Sequence, residues 1–132
     1  MNTFEQSVAD VLEVESVSLE TDFRSVDGWC SLKAFGLLVM MENDWGTPLT
    51  IDRFQGLSTV RDLYREAFIT FAARIFGVSR ETLDGKTAYA SISEWDSINH
   101  LRLVMESEKR FGTHYPLERI PELKVLDDFL IG

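Results

Sequence analysis

The same short phrase stands twice in this chain, as Gly28-Trp29-Cys30-Ser31-Leu32 and as Glu94-Trp95-Asp96-Ser97-Ile98, with a spacing of 95 − 29 = 66 residues. The match runs on, since Leu37, Glu42, Gly46, Arg53 and Leu57 recur at that spacing as Leu103, Glu108, Gly112, Arg119 and Leu123. Self-similarity at a fixed period means two copies of one structural unit. Upstream the spacing is 75 − 11 = 64: Val11-Leu12-Glu13-Val14 falls on Ile75-Phe76-Gly77-Val78, and Leu19 on Leu83. A two-residue insertion in the first loop of the second copy accounts for the change.

The 132 residues therefore divide into two domains, 1–66 and 67–132. A unit that small has a core of the marginally stable kind, so the copies are expected to lean on each other. The chain is 45% hydrophobic and 27% charged, ordinary for a soluble globular protein. No apolar run approaches the roughly 20 residues needed to cross a bilayer, so no transmembrane segment is expected. The start, Met1-Asn2-Thr3-Phe4-Glu5, lacks the basic region and apolar stretch of a secretory signal, and one cysteine allows no internal disulfide. A cytoplasmic location is the expectation. The net charge of −9 argues against nucleic acid and anionic membranes as partners and suits basic proteins. It is uneven: residues 1–66 carry 12 acidic and 5 basic side chains, hence −7, and residues 67–132 carry 10 and 8, hence −2.

Periodicity points to an all-α chain. In the first copy Phe4, Val8, Val11 and Leu12 form an apolar stripe, a polar loop runs from Glu15 to Gly28, and a second helix is expected from about Ser31 to Trp45. A short turn of helix covers Ile51 to Phe54, and a long helix starts after Ser58-Thr59. The second copy repeats the plan with a loop from Val78 to Trp95, a helix from Ser97 to Phe111, a short piece near Leu117 to Ile120, and a last helix from Val125.

Across the junction, Val60, Leu63, Tyr64, Ala67, Phe68, Phe71, Ala72, Ile75 and Phe76 keep helical spacing with no Gly or Pro between them. Thr59 with Asp62 has the form of a capping box, and Gly77 stands where a left-handed C-terminal residue is favoured. The last helix of copy one and the first of copy two are thus expected to be fused over about Val60–Phe76, roughly 25 Å at 1.5 Å per residue. Its apolar stripe turns by about 120° between the 60/63/64 and 72/75/76 clusters, which predicts two bundles on differently facing sides of one shared helix.

A serine that opens an amphipathic helix can carry a phosphate-linked group, because helix-end amides and the dipole favour negative charge there. Trp95-Asp96-Ser97-Ile98, the helix closing in Glu108-Lys109-Arg110-Phe111-Gly112, and the short and final helices after it together resemble an acyl carrier protein, and each copy spans nearly a whole carrier domain. The resemblance implies two four-helix acyl-carrier-like bundles. It implies a serine modified with 4′-phosphopantetheine, transferred from coenzyme A by a separate Mg²⁺-dependent phosphopantetheinyl transferase. It further implies acyl or aminoacyl thioesters on the arm, loading and synthase enzymes of fatty-acid, polyketide or related biosynthesis as partners, and no enzymatic activity of the carrier's own. On this pattern Ser97 is the attachment site, and Asp96 caps the helix and helps the transferase recognise it. Ser31 is a second candidate whose status stays open, because Cys30 replaces the aspartate.

Other residues have simpler readings. An Asp or Ser at a helix start is most often only a cap. Cys30 stands where a thiol can gain reactivity but reads as an inert substitution. His100 and His114 lack a plausible set of metal ligands around them and read as packing or surface residues. The tryptophans and phenylalanines are assigned to cores, with Phe35, Trp45 and Phe111 filling the interior and Trp29 and Trp95 also placed to meet the base of an attached arm. Arg102, Glu106 and Arg110, at i,i+4 spacing, read as mutual helix support. The rival function is a carrier-fold interaction module with neither serine modified. No cluster of base, nucleophile and oxyanion donors supports an enzyme.

Overall fold

The computed structural model describes residues 1–132. The chain is all-α, with α1 (Thr3–Leu12), α2 (Ser31–Asn43), α3 (Ile51–Gln55), α4 (Val60–Phe76) and α5 (Ser97–Phe111), and 3-10 turns at Phe23–Ser25, Arg80–Thr82, Leu117–Glu122 and Leu126–Phe129. Two isolated antiparallel bridges, Asp22 with Thr59 and Ala88 with Val125, are its only β features. By contacts it separates into two compact units, Met1–Ala67 with Gly132, and Phe68–Ile131. No helix is long and apolar enough to cross a membrane.

In the first unit α1 opens on a reciprocal cap: Glu5 N–H donates to Asn2 Oδ1 at 2.7 Å and Asn2 N–H to Glu5 Oε1 at 2.8 Å. Phe4, Val8 and Leu12 lie one turn apart on one face and are fully buried, each stabilising the unit by about 1.5–3 kcal/mol. Phe4 stacks on Tyr64 and meets the edge of Trp45, both at 5.1 Å between centroids. Gly36 lets α2 approach α1 closely, since a Cβ there would sit 2.9 Å from Val11 Cγ1.

Helix α4 runs without a break from Val60 to Phe76. Its start is held by Asp62, whose Oδ2 accepts from Ser58 N–H at 2.9 Å and Thr59 N–H at 3.1 Å, while Asp62 N–H donates to Thr59 Oγ1 at 3.2 Å. At its end Gly77 adopts φ +71° and Val78 N–H donates to the Ala73 carbonyl at 3.1 Å, a Schellman closure. Leu63 and Tyr64 belong to the core of the first unit. In the second unit Phe68 packs on Phe111 and Phe129 at 5.7 and 5.4 Å, and Phe76 stacks on Trp95 at 5.3 Å.

The two units share one backbone hydrogen-bond scheme at a constant offset of 66. Val60 N–H donates to the Thr21 carbonyl and Leu126 N–H to that of Thr87; Arg61 N–H donates to Leu19 and Asp127 N–H to Gly85. Ser18 N–H and Asp84 N–H each donate to a threonine Oγ1, of Thr21 and Thr87, at 2.9 Å. Asp128 Oδ2 accepts from Lys124 and Val125 N–H as Asp62 does from Ser58 and Thr59. This register corrects the pairing of Leu19 with Leu83. The offset is already 66 at Ser18 and Asp84, so buried Leu83 replaces buried Val17, and the inserted residues lie in the 3-10 turn Arg80–Thr82.

Other expectations also need correction. Helix α2 stops at Asn43 rather than Trp45, because Gly46 turns at φ +60° and Trp45 is drawn into the core on Phe4. The segment after Val125 is a 3-10 turn, Leu126–Phe129, closed by Leu130 N–H on the Asp127 carbonyl, and is too short for a cooperative α helix. The piece near Leu117 extends to Glu122 as a 3-10 turn, with Pro121 inside it. Phe35 is not interior: it is 63% exposed, whereas Trp45 and Phe111 are buried.

Candidate functional site

In the second unit, Asp96 precedes α5 with extended backbone, and its Oδ1 accepts from Asn99 N–H at 2.8 Å. One of the helix's otherwise unpaired amides is thereby satisfied, and a carboxylate is placed at the positive end of the dipole. Ser97, the first residue of the helix, is exposed. Asn99 steadies the approach to the helix, its Nδ2 donating to the Glu94 carbonyl at 2.7 Å while its Oδ1 accepts from Arg102 Nη1 at 2.9 Å. Arg102 thus turns to Asn99, and Glu106 pairs with Lys109 at 3.6 Å.

One turn into α5, buried His100 links three elements. Trp95 Nε1–H donates to His100 Nδ1 at 3.0 Å, so the imidazole proton sits on Nε2 and is donated to the Ile120 carbonyl, also at 3.0 Å. His100 is therefore a packing residue with both nitrogens satisfied. Trp95 is fully buried among Phe76, Tyr89 and His100, which takes it away from the place expected beside an arm. Beside Ser97 a cavity of about 400 Å³ opens among Tyr89, His100, Leu101, Ile120 and Leu123. Its size is within the range of small-molecule sites, and its walls are mostly apolar. His114 is exposed and lies 3.3 Å from Glu108, and no group of three His, Cys, Asp or Glu side chains is arranged to hold a metal ion.

In the first unit, Cys30 holds the capping position with exposed side chain and makes no side-chain hydrogen bond to the helix end. Ser31 is exposed at the first position of α2, as Ser97 is on α5. Trp29 is half-buried and packs on Phe23 at 5.6 Å. Arg24, from the 3-10 turn Phe23–Ser25, reaches across to α3. Its Nη2 donates to the Phe54 carbonyl at 2.9 Å and its Nη1 to that of Leu57, and its guanidinium carbon lies 4.7 and 5.0 Å from the Phe23 and Phe54 ring centroids. Phe54 corresponds to Ile120, so the same carbonyl, already accepting from Leu57 or Leu123 N–H, takes its side-chain donor from Arg24 in one unit and from His100 in the other.

Both units expose the same apolar set around the serine: Leu32, Phe35, Val39 and Ile51 in the first, and Ile98, Leu101, Met105 and Leu117 in the second. The sequence placed Asp96, Ser97, Cys30 and Ser31 at helix starts, and the structure brings each pair to an exposed N-terminus. Arg24, the role of His100 and the cavity were missed. The only trace of the first two in the sequence is that Arg24 aligns with Ala90 and Ala34 with His100. Compared with family models, curated proteins and solved structures, the chain matches none.

Proposed function

We propose that the chain is a tandem acyl carrier protein, two four-helix carrier-like bundles in series, in which Ser97 carries 4′-phosphopantetheine. The observation that carries the reading is the second helix start, where Asp96 caps α5 and leaves the Ser97 hydroxyl exposed beside an apolar cavity. An exposed hydroxyl can be reached by a separate transferase, and the dipole of α5 favours the phosphodiester it would acquire. When attached, the arm supplies a thiol that holds acyl or aminoacyl groups as thioesters at high effective concentration for partner enzymes. The chain's own residues then present the serine, cap the helix, and offer the apolar surface of Ile98, Leu101, Met105 and Leu117 for docking.

The first unit, with Cys30 in place of the cap, reads as a diverged copy that keeps the docking surface, and its Ser31 is the weaker acceptor. This is also where the rival reading, an unmodified interaction module, has its support, because the exposed set on α2 and α3 persists without the cap. Incubation of the whole chain with coenzyme A, Mg²⁺ and a permissive phosphopantetheinyl transferase, followed by intact mass measurement, tests the reading. One added arm supports it, two make both units carriers, and none with several transferases favours the interaction module.

A further inference from the structure

We propose that Arg24 is a stopper: it fills, in the first unit, the cleft that the second unit keeps open beside Ser97, so that only the second unit encloses an aliphatic chain next to its serine. The cavity residues Tyr89, Ile120 and Leu123 correspond, at the offset of 66, to Phe23, Phe54 and Leu57. Arg24 touches all three. Its guanidinium lies over the Phe23 and Phe54 rings and donates to the carbonyls of Phe54 and Leu57. A planar fork that stacks on aromatic faces while donating in its own plane suits that place, as a lysine would not.

The two units make a reciprocal exchange. The carbonyl at Phe54 or Ile120 accepts a backbone N–H in both units, from Leu57 at 3.0 Å and from Leu123 at 3.3 Å, and each unit aims a side-chain donor at its second lone pair. The first unit supplies this side-chain donor from the loop, through Arg24, with Ala34 on the helix; the second supplies it from the helix, through His100, with Ala90 in the loop. A donor from the loop lies across the cleft. A donor from the helix leaves the cleft empty, and the result is the cavity of about 400 Å³.

The occupant is aliphatic because of what the cavity offers. Leu101, Ile120, Leu123 and the Tyr89 ring line it, and both nitrogens of His100 are already engaged by Trp95 and Ile120. Ser97 and Lys124, the other polar residues there, are exposed. An open cleft with mostly apolar walls of this size accepts an apolar guest. That the guest is an acyl chain tethered at Ser97 rests on the carrier reading; the difference between the two clefts does not.

The test is a titration of the ¹⁵N-labelled whole chain with hexan-1-ol, read by amide chemical shifts. The wild type should show saturable shifts at Tyr89, Leu101 and Leu123 and none at Phe23, Phe35 and Leu57. Arg24→Ala should add saturable shifts at those first-unit amides. Arg24→Met, which fills the space without donating, should keep them silent. Should Arg24→Ala fail to fold, the double variant Arg24→Ala/Ala34→His, which returns a donor to the Phe54 carbonyl from the helix, should open the cleft instead. Equal shifts in both units of the wild type, none in the second, a Met variant that opens, or a folded double variant silent in the first unit would each overturn the proposal. A chain that takes up phosphopantetheine yet fails this titration sinks the stopper and leaves the carrier reading standing.

Discussion

Cys30 and Asp96 hold the same place before equivalent helices, yet only Asp96 satisfies a helix amide. Cys30→Asp should therefore stabilise the chain by about 1 kcal/mol, and Asp96→Ala should cost a similar amount, both measured by urea unfolding. Tyr115 offers a test by pH. Burial pushes its hydroxyl up to about 12, opposed by the Thr113 side chain and aided by the nearby Glu108 carboxylate, and it donates to the Phe129 carbonyl at 2.6 Å. A raised folded value means that its contribution is complete below the unfolded value near 10 and is lost as pH rises from there towards 12. Tyr115→Phe should remove that alkaline slope, up to about 1.4 kcal/mol per pH unit, at a cost of about 1 kcal/mol for the hydrogen bond. A slope unchanged in the variant would contradict this. Caps were legible in the sequence because a cap and its amide lie three residues apart. Arg24 and His100 were not, because their carbonyl partners lie 30 and 20 residues away and only the folded chain brings them together.

Helix α4 is the element in which local rules and tertiary packing agree. Its stop and start signals, Thr59 with Asp62 and then Gly77, could be read directly, and no residue between them opposes a helix. Burial works against the ionised Asp62, but the Ser58 and Thr59 amides and Arg65 outweigh it and hold the carboxyl below its usual value. A lowered folded value gives stability that is complete above the unfolded value and is lost as pH falls through the folded one. Asp62→Asn should cost about 1 kcal/mol at neutral pH and flatten the acid limb of the stability profile, followed by circular dichroism. At Gly77 the surroundings leave room for a Cβ, so Gly77→Ala should cost only the strain of φ +71°, about 1 kcal/mol. Glu13 already bears such strain at the end of α1, at φ 58°. The elements that escaped the sequence are those where helical signals compete with other constraints. After Val125 the pattern promised a helix, but the segment forms only the 3-10 turn Leu126–Phe129.

At the scale of the whole chain, the shared offset of 66 in the hydrogen bonds gives the repeat a physical content that residue matches alone could not. It also moved the insertion into the Arg80–Thr82 turn, which sequence matching had blurred by pairing two leucines. What the repeat does not share is as informative: the charge of −7 against −2 for residues 1–66 and 67–132, the cap, and the side-chain donor to the carbonyl of Phe54 or Ile120. All three distinguish one unit from the other. The most direct test of the account is the intact mass of the wild type, Ser97→Ala and Ser31→Ala after treatment with coenzyme A, Mg²⁺ and a phosphopantetheinyl transferase. The account predicts one arm on the wild type, one on Ser31→Ala and none on Ser97→Ala; an arm that survives in Ser97→Ala, or no arm on any of the three with several transferases, would contradict it.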